Sequence, residues 1–169
     1  MSEQDKILGW FIGRLDDSWF EAAPDLTYDR DEIIVVGVLP EPAVDPATSE
    51  DVRAEAYRSR IQAFRQKSRP ARIEIARSAE RTFDRKVSWG ATCGDQTEMF
   101  TTLAAPAMTR LRMSERRVLD TLVTSGVAKS RSEALAWCVR LVGTHETDWL
   151  SELESAMHHV EEVKQRGPR

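Results

Sequence analysis

The sequence predicts an α+β fold, and three observations predict it. "EIIVVGVLP" at residues 32–40 is a continuous β-branched run, the signature of a buried strand. Residues 51–83 place apolar side chains at three- and four-residue spacing among arginines and acids, the period of amphipathic helices. Residues 107–142 change from an alternating to a helical period and turn at a glycine. The chain therefore divides into an α+β unit over 1–105, a strand-helix-helix module over 106–143, and a C-terminal helix and tail over 144–169.

"KILGWFIGRL", from Lys6, mixes apolar residues with glycine, and residues 6–40 read as strands separated by the turn-rich "DDSWFEAAPDLTYDRDE". The pairs Trp10-Phe11 and Trp19-Phe20 read as core or rim packing, with an aromatic contact surface for a partner as the other reading. "EIIVVGVLP" is expected to be covered on both faces and to end at Pro40, which has no N–H for the ladder. "PEPAVDPATSEDV" reads as a linker.

Ser49 is the expected N-cap of a helix from Asp51 to about Lys67, with Val52, Ala56, Ile61 and Phe64 on its apolar face. Pro70 predicts two helices, or one sharply kinked helix, meeting at Ser68–Pro70. In the second piece Ile73, Ala76, Ala79, Glu80 and Phe83 share a stripe. The arginines of this region alternate with acids and read as a solvated, ion-paired face, with a basic track for RNA or DNA as the alternative. "KVSWGATCGDQTEMFTTLA" predicts a hairpin turning at Cys-Gly-Asp-Gln and returning to the sheet.

Composition narrows the function. The chain of 169 residues is 41% hydrophobic and 31% charged, enough apolar residues for a core and enough charge for solubility. The apolar run 33–39 is far below the roughly 20 residues that cross a bilayer. The N-terminus lacks a basic n-region and a long h-region, so no signal peptide and a cytoplasmic location are expected. Cys93 and Cys138 fit that compartment without a disulfide. Walker, GxGxxG, HExxH and CxxC motifs are all missing. Cys93 precedes a glycine in a turn and is the best candidate nucleophile, but nucleophilic catalysis needs a base within reach. The histidines, His145, His158 and His159, all lie near the C-terminus, and a small buried residue explains Cys93 more simply. Their spacing, with no cysteine nearby, does not build a tetrahedral metal site. The expectation is a non-enzyme without cofactor or metal.

The net charge is −4, yet residues 107–142 hold seven basic residues against three acids. A local basic footprint in an acidic protein points to phosphate. In "MTRLRM" Thr109, Leu111 and Met113 alternate with Met108, Arg110 and Arg112. Ser114 is the expected cap of a helix with Val118, Leu119, Leu122 and Val123 as its stripe. Gly126 suits a left-handed C′ position. Ser130 with Glu133 has capping-box spacing for a second helix that buries Ala134, Leu135, Cys138, Val139 and Val142 and ends at Gly143.

This order of elements, carried by "TRLRMSERRVLDTLV", a glycine and "KSRSEAL", resembles the ribbon-helix-helix family of DNA-binding proteins. The resemblance implies a homodimer through residues 107–113 and the two following helices, with an antiparallel ribbon in the major groove of DNA. Met108, Arg110 and Arg112 would then read bases. Lys129, Ser130, Arg131 and Ser132 would hold a backbone phosphate at a helix N-terminus. The expected function is sequence-specific DNA binding in transcriptional regulation. The alternative is a non-enzymatic dimeric scaffold that binds a protein or ribonucleoprotein partner. Trp149, Leu153, Met157, Val160 and Val163 form a last helical stripe, expected to pack on the module or the N-terminal unit, with an external partner as the other reading.

Overall fold

A computed structural model describes residues 2–45 and 47–166. The chain forms two compact units, one up to Pro106 and one from Ala107 onward. The first begins with α1 (Glu3–Ile12), a helix where the sequence reading expected a strand. The Ser2 hydroxyl accepts the Asp5 N–H at 3.0 Å, and the Asp5 carboxylate accepts the Ser2 N–H at 2.9 Å. This capping box nucleates the helix and holds the Asp5 carboxyl below its usual range. Ile7 and Phe11, one turn apart, are both fully buried, and that i, i+4 pair overrides the glycine that suggested a strand.

The sheet follows, with order β1-β2-β3-β4. β1 (Asp25–Tyr28) runs antiparallel to β2 (Glu32–Val38), with Leu26 opposite Val35. β3 (Lys86–Cys93) lies parallel to β2, with Val35 opposite Trp89. β4 (Gln96–Met99) returns antiparallel to β3. Parallel neighbours need a crossover, and α2 (Glu50–Lys67) and α3 (Arg69–Phe83) supply it. Of the two readings at Pro70, two helices is the outcome. Ser68 serves as C-cap of α2 and N-cap of α3, and Pro70 sits in the first turn of α3, where no N–H is missed.

β2 is buried on one face only. Ile33 and Val35 are fully buried, while the alternate Ile34 and Val36 are half-buried, which corrects the expectation of two covered faces. The buried face continues through Trp89, Ala91 and Cys93 of β3. Both helical stripes face the core as expected through Ile61 and Phe64 of α2 and Ala79 and Phe83 of α3, but their first members do not. Tyr57 and Ile61 are the buried residues of α2, and Val52 is exposed. On α3, Ala79 is buried and Ile75 packs against the core, while Ile73 is outside it. Ser49 has the extended backbone of a cap, but its side chain makes no capping bond.

The β3–β4 turn needs its glycine. Gly94 has φ +56°, and a Cβ there would meet the Tyr57 ring at 2.2 Å. Tyr57 is itself pinned, because its hydroxyl donates to Glu41 at 2.8 Å.

The second unit holds α4 (Met113–Thr124), α5 (Arg131–His145) and α6 (Thr147–Arg166). The expected strand does not form: residues 107–112 are neither helix nor strand. No neighbouring strand takes their N–H and C=O groups, so the alternation has no ladder to settle into. α4 starts two residues earlier than expected, with Arg112 at the cap position and Ser114 inside the first turn. Glu115 there accepts the Arg112 N–H at 2.5 Å. Gly126 has φ +79° after α4, as expected. Gly143 lies within α5 rather than ending it, because the helix runs on to a break at Glu146.

Leu119, Ala128 and Ala134 are the buried core of this unit, with Leu111, Leu122, Val123, Leu135 and Cys138 packed partly against it. A bidentate pair joins α4 to α5: Arg131 donates from Nε to Asp120 at 2.6 Å and from Nη2 at 2.8 Å. The guanidinium holds the Asp120 carboxyl below its usual range. Val118, Val139 and Val142 are exposed, as is the whole α6 stripe of Trp149, Leu153, Met157, Val160 and Val163. Among the described residues, no helix is long and apolar enough to cross a membrane.

Two glycine substitutions should separate conformation from crowding. Gly126→Ala meets open space and should cost only the left-handed backbone, about 1–2 kcal/mol. Gly94→Ala adds the collision with Tyr57 and should cost about 3 kcal/mol or more. Urea denaturation curves of the two variants check the order. The Asp120–Arg131 pair makes an acid-dependent contribution. Because the carboxyl pKa is depressed on folding, that contribution is complete above the free aspartate value of about 4 and fades as the pH falls through the folded value. Asp120→Asn should therefore lower the melting temperature slightly at pH 7, and the difference from the parent should vanish at low pH. The pair is half-exposed, so the neutral-pH difference should also shrink in salt.

Candidate functional site

The residues expected to meet DNA all belong to the second unit. Met108, Arg110 and Arg112 lie on the extended approach to α4 and are exposed, Met108 completely. Of the seven basic side chains between 107 and 142, Arg131 is the one held in an ion pair, among the described residues. Arg116 donates to the Leu111 carbonyl at 2.6 Å, which draws the extended segment back onto the first turn of α4. Arg110, Arg112, Arg117, Lys129 and Arg140 present their charge to solvent.

Lys129, Ser130, Arg131 and Ser132 come together at the N-terminus of α5, but their donors are largely engaged within the chain. The Ser130 hydroxyl accepts the Glu133 N–H at 3.2 Å. Glu133 reaches back to accept the Lys129 N–H at 2.7 Å, one residue beyond the usual capping-box partner. The Glu133 carboxylate thus takes the backbone N–H just before the cap, and the Arg131 side chain is paired with Asp120.

The candidate nucleophile lies in the core of the first unit. Cys93 is fully buried at the end of β3, and burial pushes its thiol up from the ordinary value. The nucleophilic thiolate is thus disfavoured. His158 and His159 both pair with Glu162 along one exposed helix. Among the described residues, no group of three or more His, Cys, Asp or Glu side chains is placed to hold a metal.

Sequence reading missed a second cationic group, in the first unit. It read the arginines of this region together, as a solvated, ion-paired face or as a basic track for RNA or DNA. The structure buries Arg72, 6% exposed, at the junction of α2 and α3. A signal was present: Arg72 has no acid three or four residues away on either side, whereas Arg77 has Glu74 and pairs with it.

Comparison with known proteins covers both units. Residues 5–99 match the family model described as Rv1265-like protein, N-terminal domain, and residues 112–164 match that of the Mb1296 C-terminal domain. The chain is 46% identical over 159 residues to the uncharacterized proteins Mb1296 of Mycobacterium bovis and Rv1265 of Mycobacterium tuberculosis, across 94% of this chain and 69% of each relative. No solved structure matches the chain at a significant level. These matches overturn the ribbon-helix-helix resemblance. The C-terminal match is to a different family and begins at Arg112, leaving most of the expected ribbon, residues 107–111, outside it. On the match to more than half its length and the identity to these relatives, the chain belongs to the Rv1265-like family.

Proposed function

We propose that the chain is a dimeric DNA-binding protein of regulatory type, with the second unit carrying both the dimer contact and the DNA contact. The observation that carries the DNA reading is the set of exposed cations at Arg110, Arg112, Arg117, Lys129 and Arg140, free of acidic partners in a chain whose net charge is −4. Charge so placed contacts phosphate, and arginines on the extended segment have the reach and donor geometry for base edges. No ribbon is required for this: the segment meets DNA as an extended arm leading into α4.

The dimer reading rests on burial. A unit of this length with Leu119, Ala128 and Ala134 as its buried residues has too little core to stand alone. It also exposes Val118, Val139, Val142 and the α6 stripe, apolar area that a second copy of the same unit would cover. The stripe also favours a second reading, a scaffold whose α6 takes a helix of another protein. The two differ in salt dependence, since phosphate contacts release counterions and apolar contacts do not.

Two outcomes are expected. In fluorescence anisotropy with duplex DNA, Arg110→Ala with Arg112→Ala should weaken binding and flatten the dependence of log K on log salt by about 2 per engaged protomer. An unchanged slope, or no binding by the parent at low salt, would sink the DNA reading. In sedimentation velocity the parent should be a dimer, and Leu153→Glu should shift it toward monomer. A monomeric parent would overturn the dimer and leave the scaffold reading in its place.

A further inference from the structure

The junction of α2 and α3 faces β3 across a cavity of about 340 Å3 lined by Arg65, Arg69, Arg72, Trp89, Phe100 and Thr101, with Ile73, Ala76 and Val87 completing its apolar wall. Its charge is unbalanced. Arg65 is answered by Glu98 at 3.2 Å, and that carboxylate is shared with Gln62. Arg72 is buried yet meets no acid. Its Nε donates to Ser68 at 2.9 Å and its Nη2 to the Arg65 carbonyl at 2.8 Å. Its guanidinium lies 4.8 Å from the Phe100 ring centre and 6.0 Å from that of Trp89. A buried guanidinium without a counter-charge is costly, and burial with its arginine neighbours disfavours its charge. Arg69 is exposed at the cavity edge and bonded to no acid.

A second observation points to a ligand independently of charge. Trp89 is 3% exposed, and its indole Nε1 is buried with no hydrogen-bond partner. Buried donors in native proteins are nearly always satisfied. Thr101, on the same wall, accepts the Trp89 backbone N–H at 3.1 Å and keeps its own hydroxyl proton to give. α3 adds the positive end of its dipole, with no acid in its first turn. The neighbouring cavity around Arg77, Arg81, Arg85 and Lys86 is different, because carboxylates answer three of its four cations and Asp31, Glu80 and Asp84 line it as well.

We propose that this cavity binds a small organic phosphate. Arg69, Arg72 and the Thr101 hydroxyl supply more donors than the two oxygens of a carboxylate use, a phosphoryl group offers three, and the unpartnered Trp89 Nε1 lies buried in the wall behind them. The rings of Trp89 and Phe100 and the apolar wall take the carbon skeleton. The volume is at the lower end for small-molecule sites, which suits a monophosphate with one planar group. The charge unbalanced in the protein alone is balanced in the complex.

The test uses the full chain and three probes: phenyl phosphate, inorganic phosphate and a short single-stranded oligonucleotide. Phenyl phosphate should bind saturably by calorimetry, raise the melting temperature, and bind more tightly than inorganic phosphate. Arg69→Ala, at an exposed position, should weaken phenyl phosphate about tenfold or more. Trp89→Phe keeps a ring and removes the donor, and should weaken it several-fold with an unchanged far-ultraviolet spectrum. No saturable binding of phenyl phosphate, or an affinity indifferent to both variants, overturns the proposal. Oligonucleotide binding that depends on Arg69 without phenyl phosphate binding also overturns it, and assigns the arginines to a nucleic-acid surface instead.

Discussion

The parallel pairing of β2 with β3 is the constraint from which the first unit follows. Strands that run the same way cannot be joined by a tight turn, so the chain must leave the sheet and come back. α2 and α3 are that return, and they pack on β3. The fully buried side chains then fall on one face of the sheet, from Ile33 and Val35 across to Trp89 and Ala91. α1 joins the same core through Phe11, which meets the Trp89 ring edge-on. Trp89 touches so many elements because it stands on the central strand opposite Val35.

The same geometry explains how charge enters the core. The crossover has to turn at Ser68, and the turn brings the last residues of α2 and the first of α3 over β3. Arg65 and Arg72 are seven residues apart, two helical turns if the helix were continuous, and the carbonyl of the first becomes an acceptor for the second. Aromatic rings from β3 and from just beyond β4 cover the guanidinium. A residue that would be solvated on a straight helix is enclosed because the helix is broken.

What could be read in the sequence was whatever depends on neighbours in the chain. The β2 run, the proline break, the Gly94 turn and the Ser130 cap rest on local chemistry, and each stands where it was expected. α1 was misread because Gly9 and Gly13 drew attention from the Ser2–Asp5 box and the Ile7–Phe11 spacing, both visible in the sequence. β1, four residues long, has no local signal, and pairing with β2 creates it. The candidate site was half legible. The exposed arginines of 107–142 were found, but the pairing of the Arg131 side chain with Asp120 was not. Arg72 carried only the missing acid at helical spacing as a signal, because Trp89 and Phe100, which enclose it, are distant in sequence. Period alone located the α6 stripe but carries no information on whether anything covers it.

The parallel pair has one more consequence, in the order of synthesis. β1 and β2 leave the ribosome well before β3 and can pair at once as a hairpin. β2 then presents its other edge, with Ile33, Val35 and Val36, to the cell while the whole crossover is made. Only when β3 emerges is that edge closed. An unpaired, β-branched edge is a template for association with other chains. The nascent first unit therefore passes through an interval of exposure set by the length of its crossover, in which a holding chaperone has something to hold.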